Sequence, residues 1–195
     1  MEAAALEIRR AGPDDAAALA RTTQLGFESY REWAPRAWRP PDHRLELRGI
    51  RERLRRADAW CVVAVEPGGE PAGHVGFMPA AEREPPQRPI PGRAHLWMLF
   101  VRPPWWGSGL AGRLHDLALR EAAAQGYDTI QLFTPTGQAR ARTFYERRGW
   151  VVEGSPWDEP FLDLELVKYS RPLTRQPRAP AAARGASADA AGRGG

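Results

Sequence analysis

The sequence predicts an α+β fold, a mixed and mostly antiparallel sheet with one parallel β-α-β unit. Short apolar runs of strand length and amphipathic segments follow one another in the order β-α-α-β-β-β-α-β-α-β-β. The central run, residues 95–101, is almost continuously apolar, as expected of a strand covered on both faces. A Gly-rich turn joins that run to a helix and a further strand, the long connection that a parallel pair requires.

Glu7–Arg10 is the opening strand, ended by Gly12-Pro13. Asp14 or Asp15 can cap the following helix, because a carboxylate accepts from free first-turn N–H groups. Leu19, Ala20 and Phe27 mark its apolar face. Residues 26–41 carry Phe27, Tyr30, Trp33 and Trp38 among prolines and fit no single helix. They form either a hydrophobic loop packed on the core or a wall of a substrate pocket. Leu47, Ile50 and Leu54, three and four apart among Arg and Glu, predict an amphipathic second helix.

Residues 60–66 and 72–78 are strands joined across Pro67-Gly68-Gly69-Glu70 as a hairpin. Residues 81–93 hold four prolines, which argues against helix and inner strand and predicts a lid or a mobile loop. After the 95–101 strand and its turn, Leu110, Leu114, Leu117 and Ala118 mark a helix that Gly126 stops. Residues 128–134 make the next strand. Residues 138–148 make a helix with Ala141, Phe144 and Tyr145 on one side, and 150–153 and 161–169 close the sheet.

Composition narrows the function class. The 195 residues leave room for one domain, 1–170, and an excess. Residues 171–195 are Pro, Ala, Arg and Gly with almost nothing to bury, and are expected to be a disordered basic tail. That tail has five arginines and one acid, so its +4 equals the net charge of the whole chain and the body is balanced. A neutral body is no phosphate-tracking surface, and no nucleic acid is expected as partner. No apolar run reaches membrane-spanning length, and the first residues lack a secretory pattern, so a cytoplasmic protein without a membrane partner is expected, as monomer or homodimer. The single Cys61, in WCVVAV, reads as a buried strand residue. Four scattered histidines offer no metal-ligand spacing, and no metal is expected.

Gly107-Ser108-Gly109-Leu110-Ala111-Gly112 fits the G-x-G-x-x-G of dinucleotide sites. Its position past mid-chain and the missing acid at the end of the next strand argue against an oxidoreductase of that kind. The wider stretch LFVRPPWWGSGLAGRL, followed about one strand later by ARTFYERRGW, resembles the GNAT-type N-acetyltransferase family. The resemblance covers everything but the tail and implies a sheet with helices on both faces. It also implies acetyl-CoA as acyl donor, and an amine of a small molecule or peptide as acceptor; a non-catalytic acyl-CoA-binding module is the alternative.

By this resemblance the N–H groups of Trp106, Gly107, Ser108, Gly109, Leu110, Ala111 and Gly112 hold the pyrophosphate. The physical basis is the unpaired donors and positive dipole end of a helix start. The family usually has Gln or Arg where this chain has Trp106, so a polar contact is missing. The bulged strand end Leu99, Phe100 and Val101 is expected to bind the pantetheine arm and to polarise the thioester carbonyl. Gln138 stands where the family often has Asn against the same arm.

A lysine-like amine has a pKa of about 10.4, so its deprotonation at pH 7 costs roughly 4.6 kcal/mol and calls for a base. His95 matches a base position of several relatives, with Glu28, Glu32 and Asp158 as further candidates. Tyr145 matches the proton donor to the CoA sulfur; its other reading is a core tyrosine. Tyr30, Trp33 and Trp97, with Trp38 and Trp157, are expected to line an acceptor pocket suited to an apolar or aromatic amine.

Overall fold

The computed structural model describes residues 6–174. The elements run β1 (Glu7–Arg10), α1 (Ala16–Glu28), α2 (His43–Arg55), β2 (Trp60–Val65), β3 (Pro71–Ala81) and β4 (Pro89–Val101). They continue as α3 (Leu110–Ala124), β5 (Thr129–Pro135), α4 (Ala139–Glu146), β6 (Val151–Val152), β7 (Trp157–Glu159) and β8 (Leu164–Pro172). The order β1-β2-β3-β4-β5-β8-β6, with β7 also on β8, is antiparallel throughout except for β4 and β5. This is the expected α+β sheet with its single β-α-β unit.

The alternation of each strand sorts the helices to two faces. On one face Val62, Ala64, Val75, Phe77, Leu96 and Ile130 pack with Leu110, Leu114, Ala118 and Ala122 of α3. On the other, Cys61, Val63 and Met98 pack with Leu19 and Ala20 of α1 and Ile50 of α2. Cys61 is buried and unpaired, and desolvation pushes its thiol up to about 12. Asp42 caps α2, accepting from Arg44 N–H at 2.7 Å and Leu45 N–H at 3.2 Å. Asp15 does not cap α1: its carboxylate turns back to the Gly12 N–H at 2.8 Å and pairs with Arg9.

Three local expectations change. The Pro-rich stretch 81–93 is strand at both ends. Ala81 pairs with Pro89, and Gly92 and Arg93 lead directly into the central strand, so only about the 82–88 turn is left as a loop. Its prolines are tolerated because β4 has no parallel partner before Arg93. A short β7 appears between the two closing strands foreseen. The last strand passes the expected boundary at 170: Arg171 and Pro172 pair with β5, and Leu173 donates its N–H to Asp128 O at 2.8 Å. The rest of the proposed tail lies outside the described residues.

Two features of β4 shape the molecule. Opposite β3 the register jumps between Gly76↔Met98 and Phe77↔Leu96, so Trp97 is an extra, bulged residue. The bulge resets the alternation: Leu96, Leu99 and Val101 pack on the α3 face, while Trp97, Met98 and Phe100 pack on the α1–α2 face. The bulge is thus at Trp97, not at 99–101 as expected. On the other side, β4 meets β5 in only three pairs, Arg93↔Thr129, Ala94↔Ile130 and His95↔Gln131, after which the two strands part.

His74 on β3 is fully buried beneath α1, its Nε2 3.4 Å from Thr23 Oγ1 and its Nδ1 without a partner. Desolvation holds its pKa down to about 3. The unfolded chain therefore binds the extra proton below about pH 6.5. His74 costs no stability above that pH, and its cost grows as the pH falls toward 3. The melting temperature is expected to drop between pH 7 and 5, and His74→Leu to flatten that slope; an unchanged slope in thermal melts would refute the assignment.

Candidate active site

The turn after β4 is built from the inside out. Arg102 and Trp105 anchor it: Trp105 is buried and its indole N–H donates to Glu66 Oε1 at 2.8 Å, while Arg102 lies 3.3 Å from the same oxygen. Pro103–Trp105 form one 3-10 turn, fixed by the prolines at its start. Trp106 then folds back, its indole N–H donating to Val101 O at 2.7 Å. Gly107 and Gly109 follow with φ of +79° and +84°, the left-handed region, and a Cβ on either would point into open space. The N–H groups of Gly107, Gly109, Ala111 and Gly112 have no acceptor among the described residues.

Ser108 differs from the expectation. Its N–H and hydroxyl both bond Trp105 O, at 3.3 and 2.7 Å, and its Oγ accepts from Leu110 N–H, so it locks the turn and faces away from the cavity. Gly112 has a second duty, since the Arg148 guanidinium rests where its Cβ would be.

The parting of β4 and β5 opens a cavity of about 650 Å³ that begins at this turn. Leu99, Phe100 and Val101 form one wall, Leu132, Phe133 and Thr134 the other, and α4 closes the outer side. Tyr145 of α4 lines it and is otherwise buried among Phe144, Trp150 and Tyr169. Desolvation, reinforced by nearby Tyr30, raises its phenol above the ordinary range, so the proton stays on oxygen through neutral pH. Its motif neighbours are fixed elsewhere. Glu146 accepts from Tyr169 Oη at 2.6 Å, and Phe144 lies under Arg148. Tyr30 lines the same cavity, with Gln138 beside it at the start of α4.

His95 lies where the strands part, against Phe133 at 4.6 Å between centroids. Its Nδ1 has no partner, and desolvation together with the Arg53 charge lowers its pKa to about 4. The ring is neutral at pH 7.

A family profile described as the acetyltransferase (GNAT) family matches residues 27–150. The chain belongs to the GNAT acetyltransferase family. Among curated proteins none matches in sequence. An acetyltransferase of the GNAT family from Staphylococcus aureus is 18% identical, with TM-score 0.67 over 87% of this chain and all of that one. An acetyltransferase from Thermus thermophilus is 21% identical, with TM-score 0.64 over 89% of this chain and all of that one. The PaiA N-acetyltransferase from Thermoplasma acidophilum, solved in complex with coenzyme A, is 15% identical, with TM-score 0.59 over 84% of this chain and 97% of that one.

This GNAT chain is an acyltransferase with acetyl-CoA as donor, and its turn has N–H groups without acceptors among the described residues at Gly107, Gly109, Ala111 and Gly112, with open space where a Cβ would stand on Gly107 or Gly109. The dinucleotide alternative falls with the fold, because the sheet has one parallel pair and no doubly wound half. The expected acceptor residues divide. Tyr30 and Trp97 line the cavity, but Trp33 does not; it packs on Gly137 and Tyr30 and supports the start of α4. Trp38 is core, its N–H donating to Leu162 O at 2.7 Å, and Trp157 packs on Phe133 and Arg83. Glu28 and Glu32 do not reach the cavity.

Sequence reasoning passed over Glu46 and Arg53 of α2, Arg140 of α4 and Arg148 just beyond α4, all of which line the cavity. The first pair flanks Ile50 at spacings of four and three, a helical-face signal masked by reading only the apolar positions. Arg140 lies 3.8 Å above the Trp106 ring, where its charge stands beside the turn.

Gly109→Ala forces a side chain into both the left-handed conformation and the cradle, at about 1–2 kcal/mol of backbone strain alone. A melting temperature lower by a few degrees and an acetyl-CoA affinity at least tenfold weaker by calorimetry are expected. Affinity equal to that of the unaltered protein would show that phosphates bind elsewhere.

Proposed function

We propose that this protein is an N-acetyltransferase that moves the acetyl group of acetyl-CoA directly to a primary amine of a small molecule or peptide. The observation that carries the reading is continuity. One cavity runs from the free N–H groups of Gly107, Gly109, Ala111 and Gly112, past Leu99–Val101 and Tyr145, to His95 and Trp97. Donor and acceptor can therefore meet without an acyl-enzyme relay.

Acetyl-CoA supplies the acetyl group as a thioester. Gly107, Gly109, Ala111 and Gly112 offer backbone donors to its phosphates. Arg140, held over Trp106, restores from α4 the positive charge that the turn itself lacks. The unpaired edge of β4 beyond His95 offers backbone groups to the extended arm and a donor to the thioester oxygen. Gln138, beside Tyr30, borders the same arm.

The amine arrives as an ammonium and must lose one proton before attack. His95 is neutral at neutral pH, so its ring nitrogen is free to take that proton, and its low pKa makes it a relay to water and not a store. The amine then forms the C–N bond as the C–S bond breaks. Tyr145 gives its phenol proton to the departing sulfur and recovers one from the acylated nitrogen, so one proton is released overall.

Tyr145→Phe is expected to lower kcat by about 10²-fold, within the range of a lost general acid, with KM for acetyl-CoA nearly unchanged. Thiol release across an amine panel checks this. A kcat equal to that of the unaltered enzyme assigns Tyr145 to the core, and saturable acetyl-CoA binding without release from any amine leaves a binding module. Because His95 titrates near 4, log kcat/KM is expected to rise with pH toward the pKa of the amine without an inflection near 6.5. An inflection there that vanishes in His95→Gln would contradict the relay. Arg140→Ala is expected to weaken acetyl-CoA binding about tenfold, or 1.4 kcal/mol, by calorimetry.

A further inference from the structure

The acceptor end of the cavity holds two charges with no ion-pair partner among the described residues. Glu46 and Arg53 stand on α2 on either side of Ile50, which is fully buried and fixes that face of the helix inward. Both line the cavity. Seven helical residues separate them by about 10 Å along the axis. Neither lies within ion-pair distance of an opposite charge, including each other, among the described residues.

Elsewhere in the chain several half-buried charges are paired. Glu153 meets both Arg93 and Lys168 at 2.9 Å, and Arg102 meets Glu66 at 3.3 Å. A half-buried charge left alone loses hydration without a return, so two of opposite sign in one cavity wall are groups held ready for a ligand. Desolvation does raise the Glu46 carboxyl, while the Arg53 and His43 charges oppose the rise.

Their surroundings set the orientation. The Arg53 guanidinium sits 5.4 Å over the bulged Trp97, and its field reaches His95. Two polar atoms at that place, His95 Nδ1 and Trp97 Nε1, are buried without partners. Phe27, Tyr30, Phe161 and Leu162 give the wall an apolar stretch, and Glu159 also borders it, its carboxylate already accepting from the Trp157 indole N–H and the Phe161 N–H at 3.4 Å.

We infer that the acceptor is a zwitterion, an amine that carries its own carboxylate and an apolar side chain, whose ammonium faces Glu46 and whose carboxylate faces Arg53. A free amino acid and a short peptide with both ends exposed share this chemistry. A polyamine does not fit, because its second cation meets Arg53. A simple alkylamine leaves Arg53 unpaired. This inference rests on the acetyl-transfer reading given above.

The test compares phenylalanine, the dipeptide Phe-Ala, phenylalaninamide, phenethylamine and spermidine as acceptors for the whole chain with saturating acetyl-CoA, read by thiol release. Phenylalanine or Phe-Ala is expected to exceed phenethylamine and phenylalaninamide at least tenfold in kcat/KM, with spermidine slowest. The better of the first two identifies the source. In Arg53→Gln the carboxylate preference is expected to collapse to within about twofold, and in Arg53→Glu to turn toward diamines. Melting temperature and acetyl-CoA affinity, measured on each variant, confirm that the fold and the donor site survive; if Arg53→Gln fails to fold, the ratio in the unaltered enzyme decides. Equal use of phenylalanine and phenethylamine, a preference for spermidine, or a ratio that survives Arg53→Gln overturns the zwitterion alone. Release from no acceptor overturns the acetyl-transfer reading with it.

Discussion

The structure depends on the short parallel pairing of β4 and β5. Three residue pairs hold the two halves of the sheet together, and past His95 and Gln131 the strands diverge. An unpaired strand edge inside a protein is ordinarily a defect, since its N–H and C=O groups need partners. Here the edge faces a cavity, where a ligand or water can supply them. The bulge at Trp97 sits beside the point of divergence and turns the alternation of β4, so that Leu99 and Val101 stay in the α3 core while Phe100 returns to the α1 side. Without that reset, the residues beyond the fork would place the wrong side chains in both layers.

The turn that follows inherits its position from the sheet. Glu66, at the end of β2, accepts the Trp105 indole and lies beside Arg102, so the cradle is tied to the β2–β3 hairpin as well as to its own strand. On the far side, α3 is tied to the end of α4. Trp150 donates its indole N–H to His115 Nε2 at 2.9 Å, which leaves the histidine proton on Nδ1, facing Asp116 at 2.8 Å. Arg148 spans this corner, 3.8 Å from Asp116 and seated on Gly112. Tyr145 lies between these fixed points, which accounts for a buried phenol that nevertheless borders the cavity.

Much of this was legible in the sequence, and the reasons are local. Hydrophobic period, Gly-Pro punctuation and the strand–turn–helix block are written within a few residues, and they fix the order of the main elements. The Gly-x-Gly turn was legible because positive φ leaves few residue choices. The misread parts depend on distant neighbours. Residues 89–93 are strand because only one side of β4 needs donors there, which no local pattern records. Ser108 looks like a phosphate ligand until Trp105 O takes its hydroxyl, and Trp33 looks like a pocket wall until Gly137 receives it. Glu46 and Arg53 were hidden because charged residues on an amphipathic helix read as its solvent side.

On the proposed reading, Arg140 lets the phosphate site depart from its family's pattern at Trp106. A side chain at the Trp106 position that carried its own charge would point toward the phosphates from the turn. Trp106 cannot, and its indole N–H is spent on Val101 O. Its ring, however, offers a negatively polarised face, and a guanidinium stacks on such a face while its N–H edge stays free for other acceptors. Arg140 takes that place at 3.8 Å, supplied by a helix that already borders the cavity. The charge thus stays beside the cradle while its origin moves from α3's turn to α4. On that reading, position within the electrostatic field, and not position in the chain, is what a phosphate site constrains.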